Sequence, residues 1–343
     1  MSNGTGHSAG HDVPAVLERA RAVMQPALRA AVDGLADERM RRIAGYHLGW
    51  LDAAGAEIAL GGGKAVRPAL VLLCAEAAGG VAADAVPPGV AVELVHNFSL
   101  LHDDIMDRDV ERRHRPTGWV AFGDGPALLA GTALLTLAVQ VLSDAAPHAL
   151  PCLLDATQLL ISGQSDDLRL EQAETAGVDD VLRMEAGKTA ALLACAAELG
   201  PLAAGAPRHV ASALAGYGHE LGMAFQLVDD VLGITGDPAA TGKSASSDLR
   251  AGKRSAPIVA ALTAGNEAAH RLADLLRDGP PKSDDEVALA AKLVDEAGGI
   301  EWAQTEARAR VAAGCDRLRS ADLVPSVETD LVDLGTYILE RDR

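Results

Sequence analysis

Glu93–Thr117 reads ELVHNFSLLHDDIMDRDVERRHRPT. Its centre is Asp103, Asp104 and Asp107. On a helix, side chains three and four apart point the same way. Two or three of these carboxylates therefore share one face, just after the apolar Phe98, Leu100 and Leu101. Like charges that close raise one another's pKa. A hard divalent cation, which takes oxygen ligands, offsets that cost. Arg112, Arg113 and Arg115 follow, and guanidinium groups suit phosphate oxygens. Acids for a metal beside arginines for a phosphate describe a site for a metal-bound polyphosphate ester. The stretch alone also admits a plainer reading, a solvated charged helix end.

The whole chain sets the frame. It has 343 residues, 49% apolar but only 3% aromatic, so a large core must be built from Ala, Leu and Val. Alanine and leucine favour helix, and the turn-bounded β-branched and aromatic clusters of extended sheet are scarce. The net charge of −18 repels nucleic acid and anionic membranes, so neither is expected as a partner. An anionic substrate would need cations gathered where it binds. Cys74, Cys152, Cys195 and Cys315 show no zinc-type spacing and read as buried small hydrophobes, which fits a reducing cytoplasm. Residues 1–12 carry His7 and His11 but no apolar core, and are expected to be a disordered tail rather than a signal peptide. Residues 13–343 are expected to form one domain. Gly125–Ser143 has the length of a membrane span without a charge. With Pro126, Gln140 and two threonines inside, it reads as a buried helix of a helical core.

Helices are expected over 13–33 and 36–60, the first keeping a helical rhythm through Leu17, Ala20, Val23, Met24, Leu28 and Ala31. Gly61-Gly62-Gly63-Lys64-Ala65-Val66-Arg67-Pro68 then breaks the helix. Free amides at the next helix start, with Lys64 and Arg67, make an anion site, though the Walker spacing is missing. The alternative is a glycine-rich connector with incidental bases. A loop is expected over 80–89. His96 lies two turns before Asp103, on the same face. Further helices are expected over 126–145, 149–173, 178–200, 207–235, 254–264, 284–298, 299–320 and 326–341. In the second of these, Gln164, Asp167 and Glu171 form a polar stripe that would ordinarily face water. Lys188-Thr189 sits in apolar surroundings, so the lysine either snorkels or pairs with a buried anion. Residues 225–230 repeat the opening pattern, an apolar helix ending in Asp229-Asp230, about 126 residues after Asp103. The loop beyond holds Lys243, Arg250, Lys253 and Arg254, so cations do gather beside acids.

Taken in order, GGGKAVRP, DDIMDRDVERRHRPT, GQSDDLRLE, GKTAALL and FQLVDDVLGITGD…GKSASSDLRAGKRSAP resemble the short-chain trans-prenyl diphosphate synthases, most of all bacterial geranylgeranyl diphosphate synthases. The resemblance covers residues 35–343. It implies an all-α isoprenoid synthase type I bundle of roughly ten or more helices around an apolar cavity. Two Asp-rich motifs would face each other there across three Mg2+ ions, with Mn2+ able to substitute. It implies Asp103, Asp104, Asp107, Asp229 and Asp230 as the metal-holding acids, with Asp230 in support of Asp229. It places isopentenyl diphosphate on Lys64, Arg67, His96 and Arg113. It places an allylic diphosphate (dimethylallyl, geranyl or farnesyl) on Arg112, Lys188, Thr189, Gln226, Lys243 and Lys253. The chemistry is assigned to Asp103, Asp107, Lys188 and Asp229. Gly233 stands where the family usually has a third acid, and Thr132 where many relatives have one. Phe98 and Ser99, five and four residues before Asp103, would set the tunnel floor. One ring, one small residue and no insertion inside DDIMD resemble the makers of C20 chains. The C-terminal helix and residues 236–252 would close the site. Relatives pair as homodimers. Two rival readings stay open, a terpene cyclase of the same fold and a non-catalytic subunit of a hetero-oligomeric synthase.

Overall fold

The computed structural model describes residues 12–58, 65–173, 175–236 and 246–340. Lys64, Lys243, almost all of the expected N-terminal tail and most of the expected closing loop lie outside the described residues. The described residues are all-α apart from a two-stranded hairpin.

α1 (Val13–Asp33) is capped by Asp12, whose carboxylate accepts from the Ala15 amide. It buries Leu17, Ala20, Met24 and Leu28, the expected rhythm. α2 (Glu38–His47) is shorter than the expected 36–60. Gly49 turns left-handed at φ 81°, and the Asp52 carboxylate takes the Ala56 amide, a local bond that competes with helix. α3 (Val66–Ala77) has Pro68 in its first turn and is buried almost all round.

α4 (Ala82–Met106) carries the first acid group. It starts inside the expected 80–89 loop and contains Pro87 and Pro88. Those prolines release carbonyls only at the helix's exposed first turns, where water can reach them. Beyond it, β1 (Glu111–Arg112) pairs antiparallel with β2 (Arg115–Pro116). The central Arg113 and His114 are both left-handed, at φ 53° and 59°. α5 (Gly118–Phe122) leads into α6 (Asp124–Ala145). α7 is Leu150–Glu171.

α8 (Val178–Glu185) and α9 (Ala191–Ala203) are one rod interrupted by a π turn at Ala186–Ala190. α10 (Arg208–Thr235) carries the second acid group. α11 (Ser247–Ala251), α12 (Ala256–Thr263), α13 (Glu267–Leu275), α14 (Asp284–Glu296), α15 (Gly299–Arg319) and α16 (Pro325–Leu339) complete the order. α13 was not expected, because it buries only Ala269 and Leu272.

The main core runs through α1, α3, α4, α6, α9 and α10, and is built from Leu, Val and Ala. Tyr217, its largest fully buried side chain, donates its hydroxyl hydrogen to the Leu331 carbonyl. α6 departs from the buried helix that was expected. It is long and apolar enough to cross a membrane, yet only about a third of its most apolar window is covered. One stripe (Ala127, Ala130, Leu134, Ala138, Leu142) packs on the core while Leu128 and Leu129 face out. Cys152 and Cys195, far apart in sequence, are brought Sγ to Sγ at 3.6 Å where α7 meets α9. All four cysteines are free thiols.

Candidate active site

α4 ends at the acid group, and its turns decide which acid does what. Asp103 lines a cavity of about 1210 Å³. Asp104, one residue on, is rotated about 100° around the axis. It is 1% exposed and its Oδ1 accepts from Arg112 Nε at 2.7 Å. Asp104 was expected among the metal-holding acids, but it faces Arg112 and the hairpin rather than the cavity. Asp107 sits one turn beyond Asp103, its side chain 5% exposed. Its Oδ2 accepts from Lys253 Nζ at 3.3 Å. Its Oδ1 is buried without a hydrogen-bond partner. Burial, then Asp103, pushes the Asp107 carboxyl up, against the pull of Lys253 and Lys188.

The π turn delivers Lys188. A π turn adds a residue to the helix and redirects the turns beyond it, and such turns favour functional sites. Lys188 Nζ donates to Asp103 Oδ1 at 3.2 Å and to Asp167 Oδ2 at 2.5 Å. Of the two readings the sequence allowed, pairing is therefore the one realised. Burial opposes its charge, but Asp103 and Asp167 outweigh burial and hold the ammonium above its usual range. Asp167 was missed as a site residue. Its carboxylate on α7 faces the π turn, where it accepts from Lys188, and Gln164 of the same stripe lines the cavity, while Glu171 stays exposed. A spacing of three and four is the same for a wet face and a dry one. Only the close packing of α7 on the turn, through Gly163 and Gly187, settles which it is.

On the opposite wall, α10 brings Asp229 and Gln226 to the same cavity, with Thr189 beside them. Thr189 Oγ1 donates to Gln226 Oε1 at 2.7 Å, and Gln226 Nε2 to Asp230 Oδ1 at 2.7 Å. Asp230 is buried and its Oδ2 accepts from the Ala256 amide at 2.9 Å, tying α10 to the start of α12. Burial, then the charge of Asp248, pushes its carboxyl up to about 6. Glu185 lies against it in the protein interior, and burial followed by Asp230 pushes the Glu185 carboxyl far up. Asp230 thus anchors the helix that presents Asp229.

A cationic corner closes the cavity near α3. Arg67 Nη1 lies 3.3 Å from His96 Nε2. Burial, then Arg67 and the hairpin arginines, lowers the His96 pKa well below its usual value, so its neutral ring accepts from Arg67. Arg112 and Arg113 reach the same cavity from the hairpin, and Glu93 lines it between Arg67 and Arg113. Tyr46 fixes the hairpin by donating to the Pro116 carbonyl at 2.7 Å, and Arg115 by donating to the Leu51 carbonyl at 2.9 Å. Arg115, first read beside phosphate ligands, is therefore a fastening. Neither Lys253 nor Asp107 lines the cavity, and the two are bonded to each other.

Between the polar ends the wall is apolar. Phe98, Ser99, Leu135, Leu160 and Leu168 line it. The Phe98 ring meets the His102 ring edge to face at 4.8 Å. Thr132 lines it as well, its hydroxyl returned to the Leu128 carbonyl, and nothing in the structure explains why an acid is absent there. The unmet buried atoms include Arg67 Nε, Gln164 Nε2, Asp104 Oδ2 and Asp107 Oδ1. Two are donors suited to an anion, and two are carboxylate oxygens suited to a hard cation. The residues present therefore fit magnesium and a diphosphate.

Residues 49–294 match the family model described as Polyprenyl synthetase. Mycobacterium tuberculosis (strain H37Rv) contains two similar proteins. One is a (2E,6E)-farnesyl diphosphate synthase, 48% identical over 95% of this chain and 92% of that protein. The other is a geranylgeranyl diphosphate synthase, 46% identical over 90% of this chain and 91% of that protein. Among solved structures, a polyprenyl synthetase from Streptomyces coelicolor A3(2) superposes with a TM-score of 0.91 at 46% identity, covering 95% of this chain and 99% of that one.

Proposed function

The chain belongs to the polyprenyl synthetase family and is a short-chain prenyltransferase of the farnesyl/geranylgeranyl diphosphate synthase type. On that premise, we propose that it joins isopentenyl diphosphate head to tail to an allylic diphosphate, with the C20 geranylgeranyl diphosphate as main product. One observation carries this reading. Asp103 and Asp229 line a single cavity whose wall also carries Lys188, bound to Asp103, and the guanidinium groups of Arg67, Arg112 and Arg113. Cations in that number suit two diphosphates. A cyclase of the same fold needs only one.

The residues divide the work. Asp103, Asp107 and Asp229 would hold the magnesium ions. When bound, these supply Lewis-acid stabilisation of the departing diphosphate oxygens. Lys188 and Arg112 place positive charge where negative charge grows as the C–O bond breaks. Thr189 and Gln226 orient the same group. Arg67, His96 and Arg113 hold isopentenyl diphosphate so that its alkene meets the allylic cation. The product then loses a proton to the released diphosphate. The apolar wall keeps water from the cation.

Incubation with Mg2+, isopentenyl diphosphate and each of dimethylallyl, geranyl and farnesyl diphosphate tests this. Elongated diphosphates ending at C20 in the mass spectrum support it, and a product ending at C15 corrects the length. Cyclised hydrocarbon would favour the cyclase, and turnover only with an added partner would favour the subunit reading. The floor has its own test. Phe98→Ala removes the ring that, with His102, narrows the apolar tunnel, and the chain length should rise by one or more C5 units. Unchanged length would remove Phe98 from the floor.

Leu128 (47%) and Leu129 (60%) are exposed on α6, and Leu154 (41%) and Ile161 (52%), seven residues apart, share one exposed side of α7. Exposed apolar side chains on neighbouring helices suit an interface. We infer a homodimer through α6 and α7. Sedimentation should give twice the chain mass, and Leu129→Asp with Leu154→Asp should halve it. A wild-type monomer at micromolar concentration would end this assignment.

A further inference from the structure

A second hollow, of about 1090 Å³, lies on the far side of α7 from the active-site cavity. Leu160, Gln164 and Leu168 of α7 face the first hollow, and Cys152, Leu159 and Asp166 face the second. Its other wall is the rod made by α8, the π turn and α9. Prenyl transfer makes no use of this second hollow.

Two thiols meet in its wall. Cys152, in the first turn of α7, and Cys195, on α9, are 43 residues apart in sequence and 3.6 Å apart Sγ to Sγ. Glu198, one turn beyond Cys195, brings its Oε2 to 3.4 Å from Cys152 Sγ and accepts from that thiol. A disulfide is about 2.0 Å long, so the sulfurs must close by about 1.6 Å. Ala156, Ala191 and Ala194 line the same wall, and side chains that small leave room for the movement. Cys152 stands about half a turn round the α7 axis from Leu154 and Ile161, so the dimer face inferred above leaves it open to the hollow. The Cys195 thiol, then burial, then the charge of Glu198 push the Cys152 thiol up. A stabilised thiolate favours the reduced form of a pair, and here that bias is missing.

We propose that Cys152 and Cys195 are a redox modification site, at which a low-molecular-weight disulfide oxidises the two thiols to a bond that ties α7 to α9. Cys152 Sγ gives its proton to Glu198 and attacks one sulfur of the small disulfide. The S–S bond of that molecule breaks, and its first half leaves as a thiolate. Cys195 Sγ then attacks Cys152 Sγ, and the second half leaves. The protons of both cysteines end on the two departing thiolates. The protein gives up two electrons, and the small disulfide becomes two thiols. The new bond fastens together the two elements that set Lys188 against Asp167.

The test is equilibration of the full chain with oxidised glutathione, followed by peptide mass spectrometry and a count of free thiols in denaturant. Two of the four thiols should be lost, with Cys152 and Cys195 recovered as one linked pair of peptides and Cys74 and Cys315 free. Dithiothreitol should restore all four. The bonded protein should melt about 5 °C higher, because the link closes a long loop of the unfolded chain. Cys152→Ser and Cys195→Ser should each form no internal link and show no rise in Tm. Retention of all four thiols by the wild type would overturn the proposal, as would a linked pair other than Cys152 with Cys195. So would a link between those two that leaves Tm unchanged or lower, for it would have formed at the expense of native packing.

Discussion

Lys188→Ala should lower kcat by about 10²- to 10³-fold, the loss seen when a fixed charge or donor aimed at developing negative charge is removed. The ammonium is 3.2 Å from Asp103 and 2.5 Å from Asp167, on a π turn that fixes its direction. In the resting protein it neutralises acids on two helices. In the reaction it stands where the leaving diphosphate gathers charge. Alanine removes both services at once, leaving two half-buried carboxylates facing each other without a cation. KM for isopentenyl diphosphate should change little, because Lys188 bonds Asp103 and Asp167 and not Arg67, His96 or Arg113, the residues assigned to that substrate. Lys188→Arg should not rescue fully, since a planar fork cannot occupy a slot shaped for a compact ammonium. Steady-state kinetics with each substrate saturating in turn check this. A fall in kcat below tenfold, in a variant with wild-type circular dichroism, would move Lys188 from the chemistry to the framework.

The same residue shows what the sequence can carry. That Lys188 either snorkels or meets a buried anion follows from its apolar neighbours alone. That the anion is Asp167 does not, because Gln164, Asp167 and Glu171 have the spacing of any wet stripe. The two Asp pairs were legible because each closes an apolar run of helix, and the direction in which each acid of a pair points was not. Asp103 and Asp104 are adjacent in sequence and about 100° apart on the helix. One faces the cavity and the other faces Arg112. Helices with a strong apolar rhythm, such as α1 and α10, were placed within a residue or two at either end. The failures came where local chemistry competed with rhythm. Pro87 and Pro88 sat early enough in α4 to be tolerated, and Gly49 with Asp52 ended α2 early.

Gly163→Ala should cost about 10²-fold in kcat although the residue bears no functional group. A Cβ at Gly163 would lie 2.2 Å from the Lys188 amide nitrogen, 2.6 Å from the Gly187 carbonyl carbon and 2.8 Å from the Lys188 Cα. These are backbone atoms, so no rotamer change makes room. The approach is reciprocal, for a Cβ at Gly187 would lie 2.8 Å from the Leu159 carbonyl oxygen and 2.9 Å from the Gly163 Cα. Ordinary contact begins at 3.4 Å. α7 and the π turn must then separate by about 1 Å, and a misplacement of that size at a reacting centre costs about 10²-fold. Because α7 carries Asp167 and the π turn carries Lys188, the separation opens the ion pair between them. Overpacking of this kind also costs about 1–3 kcal/mol of stability. Gly131 makes the contrast. Its Cβ would meet the His102 ring at 2.5 Å, and a ring can turn where a backbone cannot. Urea denaturation beside kinetics separates the two losses for Gly163→Ala. Lower stability with undiminished kcat would mean that the π turn moves with α7 as one piece, and that the position of Lys188 is set by its acids and not by the helix beneath it.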